Sequence, residues 1–206
     1  MKKIMFNNTY GFTQAVKQGT KTMTRRVLNL TEADEEYLGQ AFDWDLRESV
    51  ILDRYAQYKV GEIVAVAESY KDIIGDRVFF VSYETGVSVH RSILEREKGW
   101  SNKQNVASEF MPTRIRITDR KIERLRSISD EDCLKEGLMM DPITGWYYFP
   151  NLHLHRKKKN TAGPTLFEYP KAAYYTLCKK LRMVLDNTAN PWVIAYTFEI
   201  AKGTDQ

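Results

Sequence analysis

A mixed α+β fold, a small mixed β-barrel with peripheral helices, is what this sequence predicts. Six or so short β-prone runs recur along the chain, helical segments fall between them irregularly, and there is no strand–helix–strand alternation of the kind that builds a doubly wound sheet. The 206 residues suit a single domain with insertions at about 30–58 and 139–170. A hydrophobic content of 43% is enough to bury a substantial core, which excludes wholesale disorder.

Lys2–Phe6 reads as the opening strand. Asn8 or Thr9 is placed to cap a helix through about residue 18, with Phe12, Ala15 and Val16 as its apolar stripe and Gly19 as its left-handed terminator. Thr20–Leu28 reads as a strand, and Thr31 as the cap of an acidic helix start. Residues 37–58 read as helical or irregular. Val60-Gly61-Glu62 turns into Ile63–Tyr70, an apolar central strand, and Arg77–Glu84 is a further strand ending at the Thr85-Gly86 turn. Residues 95–109 are loop-like. In Thr113–Leu125, Ile115, Ile117 and Ile122 alternate with charged residues, as on a half-buried strand. Ser129 caps a short helix, Asp130–Glu136, closed by Gly137. Pro142, Pro150 and Pro164 mark residues 139–165 as a long insertion or mobile lid. Pro170 opens a helix over about 171–184, and Trp192–Ile200 is the final strand.

Several classes fall away. No apolar run approaches the roughly 20 residues of a membrane helix, and no signal-peptide core follows Lys2 and Lys3. Cys133 and Cys178 are far apart with no C-x-x-C spacing, so a cytoplasmic chain without a disulfide scaffold is expected. His153-x-His155 has only the distant His90 as a third histidine, so no metal or cofactor is expected either. Glycine-rich phosphate loops are absent. The net charge of +4 permits an anionic partner without demanding one, and the clustering of charge says more than its total.

That clustering peaks at Gly19-Thr20-Lys21-Thr22-Met23-Thr24-Arg25-Arg26, which holds one lysine, three threonines and two arginines and no acid. No Asp or Glu precedes Glu32. On a regular strand Thr20, Thr22, Thr24 and Arg26 share one face, and Lys21, Met23 and Arg25 the other. For the Lys21 amine to work with Thr24, the chain must bend or bulge here, or the threonine must lie near a strand end. A second basic run, Arg114, Arg116, Arg120, Lys121, Arg124 and Arg126, faces only Asp119 and Glu123. It has the composition of a phosphate-tracking surface and equally of a solvated strand face. The Trp146–Phe149 aromatic run fits base stacking, but more simply a loop packed on the core.

Four segments in order resemble the ASCH family, a branch of the PUA-like fold: Gly19–Arg26, Gly61-Glu-Ile-Val-Ala-Val-Ala-Glu68, the Arg-rich strand leading to Ser129-x-x-Asp132-x-x-x-Glu136-Gly137, and Asn190-Pro-Trp-Val193. The resemblance covers about half the chain. It implies a small PUA-like β-barrel whose mouth is lined by the first motif, and binding of RNA or a modified nucleotide or nucleoside there. Lys21, Thr22, Thr24, Arg25 and Arg26 would form that mouth, with Glu68 and Glu136 near it and Arg114 and Arg116 as further ligand contacts. The family contains a small bacterial amidohydrolase that cleaves N4-acetylcytidine, which implies an alternative: Lys21 as base, Thr24 as nucleophile and Glu136 as acid. A lysine beside arginines in a pocket loses its proton more readily, and a neutral amine can take one from a hydroxyl. A third expectation is a protein-interaction scaffold, in which side chains from 139–170 fill the pocket.

Overall fold

The computed structural model describes residues 1–40, 43–82, 85–152, 163–184 and 189–201. In chain order its main strands are β1 (Lys3–Ile4), β2 (Met23–Val27), β3 (Ile63–Val66), β4 (Phe79–Val81), β5 (Ser88–His90), β6 (Arg114–Arg124), β7 (Met139–Met140), β8 (Tyr147–Tyr148) and β9 (Trp192–Ile200). Five of them form one mixed sheet in the order β1-β3-β6-β9-β2. β1 runs parallel to β3, and the other pairs are antiparallel. β6 spans both β3 and β9, and its register shifts between Ile117 and Asp119, a local irregularity of the bulge type.

The fold is mixed α+β, as the irregular alternation of elements predicts, but no closed barrel forms among the described residues. β1 and β2 each pair on one side only, so the sheet stays open. β1 is two residues long, and just beyond it Asn7 accepts a hydrogen bond from the Thr9 backbone and turns the chain into a 3₁₀ turn, Asn8–Tyr10. The single helix expected from residue 8 or 9 therefore splits at Gly11 (φ 71°), and α1 runs only over Phe12–Lys17. Gly19 does take the left-handed conformation (φ 73°).

Helices pack on both faces of the sheet. Val64 and Val66 join a large core with Phe12, Ile115, Tyr174 and Phe198, while Ala65 and Ala67 join a smaller one with Tyr70, Phe80 and Met111. Burial on both faces accounts for the unbroken apolar run of β3. That strand stops at Val66, short of the expected Tyr70. Ser69 accepts a hydrogen bond from the Asp72 backbone and caps a helix, α4 (Tyr70–Ile74), so the polar cap overrides the β-prone run. The expected strand Arg77–Glu84 is only β4, paired with β5 in a separate hairpin ahead of α5 (Arg91–Leu94).

Thr31 caps α2 (Glu32–Gly39) as predicted, and the ambiguous stretch after it contains α3 (Trp44–Tyr55). Ser129 caps α6 (Asp130–Lys135), and Pro170 opens α7 (Pro170–Lys180). The described part of 139–165 is fastened to the core: β7 pairs with β8, Leu152 is buried, and Phe149 meets Phe12 edge-on at 5.8 Å. His153, His155 and the basic tract through Lys159 lie outside the described residues. No helix among the described residues is long and apolar enough to cross a membrane.

Candidate functional site

A cavity of about 490 Å³ opens beside the two edges that the sheet leaves unpaired. Met5, Phe6 and Asn7, just past β1, form one wall, and Thr24, Arg25, Arg26 and Val27 of β2 form another. Lys21, Glu136 and the Tyr174–Leu177–Leu181 stripe of α7 and its end complete it. Its volume lies within the roughly 300–1,000 Å³ common for small-molecule sites.

Lys21 reaches the cavity because the first motif is not a strand throughout. The Thr20 and Lys21 amides both donate to the Ala15 carbonyl, the Thr22 amide donates to the Lys135 carbonyl, and β2 begins only at Met23. The bend required for Lys21 and Thr24 to share a site is therefore present. The Lys21 amine, 2% exposed, donates to the Glu136 carbonyl and to its Oε2, both at 2.7 Å. It also lies 4.7 Å from the centroid of the Phe12 ring. Burial lowers the amine's pKa from the usual lysine value; Glu136 pushes it back up, and Arg26 and Arg25 add to the lowering. Gly137 packs beside the Lys21 stem and turns the chain with φ 94°, a conformation that favours glycine.

Glu136 follows the last turn of α6 and is 5% exposed. Its helix turns Cys133 inward and leaves Leu134 exposed, while the Glu136 carboxylate itself is buried. The second Glu136 oxygen accepts from Arg25 Nη1 at 3.2 Å. Arg25 is closed on its other sides by Glu123 (2.6 Å) and Asp132 (2.8 Å), so three carboxylates hold one buried guanidinium. Burial raises the Asp132 carboxyl, but the hydrogen bond and charge of Arg25, with help from Lys121 and Lys135, leave its pKa below the ordinary value. Thr24 is 5% exposed, and no hydrogen bond to its hydroxyl forms among the described residues. Burial, followed by the Glu136 charge, holds the Tyr174 hydroxyl's pKa well above the usual tyrosine value, so it stays a donor. Asn7 uses its side-chain oxygen on the Thr9 amide and keeps its amide N–H groups for another partner.

The structure thus brings Lys21, Thr24, Arg25, Arg26 and Glu136 together and leaves four expected residues outside. Thr22 is spent on the backbone pairings of the bend and does not line the cavity. Glu68 ion-pairs with Lys17 at 2.9 Å and lines a separate depression with Asp72, because the chain past Val66 turns away into α4. Arg114 and Arg116 sit half-buried on β6, beside β3, away from the cavity, and each has partners of its own. Sequence reasoning missed Phe6, Asn7, Lys103, Tyr174 and Arg182. The i, i+3, i+7 spacing of Tyr174, Leu177 and Leu181 was the available signal for the α7 wall. Among the described residues no lining residue comes from 139–170.

Among the described residues no group of three or more His, Cys, Asp and Glu could hold a metal ion, and His90 caps α5 by accepting from the Ser92 amide. Cys133 and Cys178 are free, buried thiols whose pKa burial pushes up to about 12. No family model, curated protein or solved structure matches the chain.

Proposed function

We propose that the chain is an ASCH-like, PUA-like protein, with an open sheet in place of a closed barrel, that hydrolyses an acyl amide on a nucleoside-sized ligand. The observation that carries the reading is the convergence on one cavity of a buried lysine of lowered pKa, its Glu136 partner and a Thr24 hydroxyl unengaged among the described residues. Aromatic walls from Phe6, Phe12 and Tyr174 suit a flat base.

The chemistry follows from the 2.7 Å contact between the Lys21 amine and Glu136. One proton passing from the amine to the carboxylate leaves a neutral base beside a carboxylic acid. The amine then takes the Thr24 proton as the threonine oxygen attacks the acyl carbon. As the carbon–nitrogen bond breaks, Glu136 gives its proton to the leaving exocyclic amine. Water attacks the resulting ester, giving its proton to the Glu136 carboxylate, while the Lys21 ammonium returns a proton to the Thr24 oxygen. The sum is amide plus water giving acid plus amine. Asn7 supplies a neutral donor for the charge that develops on the carbonyl oxygen.

A second reading, binding without turnover, is favoured by one fact: both Glu136 oxygens are already engaged. Chromatography of N4-acetylcytidine incubated with the protein separates the two. Release of cytidine and acetate, lost at least about 10³-fold in Thr24→Val, supports hydrolysis. Thermal stabilisation by the unchanged nucleoside without product, weakened only modestly in Thr24→Val, refutes hydrolysis in favour of binding.

A further inference from the structure

We propose that the ligand carries a phosphate, held at the cavity rim by Arg26, Lys103 and Arg182, so that this chain prefers a nucleotide to the bare nucleoside. The inference rests on the site reading above, but its geometry is independent of Lys21, Thr24 and Glu136.

All three cations line the same cavity. They come from separate places, the end of β2, a 3₁₀ turn at Lys103–Asn105, and the chain past α7, so no local run of basic sequence accounts for their meeting. Among the described residues none of the three forms an ion pair with a carboxylate. The contrast with Arg25, one residue from Arg26 and closed by three carboxylates, is sharp. Arg26 donates one guanidinium N–H to the Met5 carbonyl, and Lys103 donates to the Phe6 carbonyl and to Asn8 Oδ1 at 2.9 Å. Neutral acceptors thus hold Arg26 and Lys103 in place, with no carboxylate in ion-pair contact among the described residues. Burial lowers the pKa of the Lys103 amine; Asp72 and Glu68 raise it, and the like charge of Arg26 lowers it further. An anion between Arg26 and Lys103 would relieve that repulsion, and phosphate matches the guanidinium fork.

The arrangement favours a mononucleotide over a polymer. A nucleic-acid strand needs cations spaced along a track, whereas these three converge on one cavity that also holds the aromatic walls.

The test compares cytidine, cytidine 5′-monophosphate, inorganic phosphate and a single-stranded cytidine oligomer by calorimetry on the full chain. A parallel assay compares turnover of N4-acetylcytidine and its 5′-monophosphate. The proposal expects the monophosphate to bind at least about tenfold tighter than cytidine, with the advantage shrinking as salt rises. It also expects Arg26→Gln, Lys103→Gln and Arg182→Gln each to erode that advantage, weakening the monophosphate more than cytidine. Equal affinity for cytidine and its monophosphate overturns it, as does binding of inorganic phosphate as tight as the monophosphate. So does an oligomer that binds tighter and is indifferent to the three substitutions. Failure of the hydrolase reading looks different: neither acetylated compound is cleaved, while the monophosphate advantage and its loss in the variants remain.

Discussion

Replacing Lys21 with methionine tests whether the buried amine is there for chemistry or for stability. Methionine keeps the stem against Phe12 and Gly137 and removes the charge. Two hydrogen bonds to Glu136 go with it. Orphaning a buried charge typically costs about 3–5 kcal/mol. Glu136 is not orphaned, however, because Arg25 still donates to it at 3.2 Å. The variant also escapes the cost of burying an ammonium, the largest influence on Lys21. The expected net loss at neutral pH is about 1–2 kcal/mol. Its pH dependence is the sharper signature. Lys21 has a folded-state pKa below its unfolded value of 10.5, so the unfolded chain binds more protons between the two. Its contribution is fully present above 10.5 and is lost as pH falls through the lowered folded value. Wild type should therefore gain stability over Lys21→Met as pH rises from neutral toward 10.5, read by urea unfolding of both proteins. Turnover of N4-acetylcytidine should vanish in the variant. A gap that stays flat across that window, or a stability loss above about 4 kcal/mol, refutes the reasoning.

Three further outcomes follow from the same contacts. Gly137→Ala places a side chain at a positive φ of 94°, so calorimetry should find it about 1–2 kcal/mol less stable. Arg25→Met leaves Glu123, Asp132 and Glu136 facing one another, and should cost about 3–5 kcal/mol near neutral pH. That deficit should narrow in acid, because the stability that Arg25 lends through Asp132 is present above the carboxyl's unfolded pKa of 3.8 and lost as pH falls through the lowered folded value. Arg114→Ala with Arg116→Ala should leave calorimetric affinity for cytidine 5′-monophosphate unchanged, since neither residue lines the cavity.

The parts of the site that were legible in the sequence are those set by short-range chemistry. Gly19 ends α1, Ser129 caps α6, and Gly137 turns the chain after it, so Lys21 and Glu136 could be singled out before their contact was seen. The isoleucine alternation of β6 marked its core face correctly through Ile115, Ile117 and Ile122. What stayed hidden depends on long-range pairing. Arg25 meets Glu123, Asp132 and Glu136 across 98, 107 and 111 residues, and no local pattern announces that closure. Glu68 misled because its place in the Gly61–Glu68 run suggested a strand reaching the site, while the Ser69 cap one residue later redirects the chain. Lys103 sits in a stretch that reads as loop and Arg182 near the end of an expected helix; tertiary packing alone makes them rim residues.

The two adjacent arginines divide the labour of the motif. Arg25 is 3% exposed, and its three carboxylates make it a bolt between β2, β6 and α6. Through Nη1 it fixes one Glu136 oxygen, which leaves the other to position the Lys21 amine. Arg26, on the opposite face of the strand, is exposed at the cavity rim without a carboxylate partner among the described residues. One side of the cavity is thus electrically closed and geometrically fixed, as a reacting centre requires. The other keeps net positive charge at its mouth, where the proposed phosphate would sit. The strand's twofold alternation puts these two environments one residue apart, and this is why the motif needs both arginines: a lysine at 25 could not satisfy three carboxylates with a planar fork.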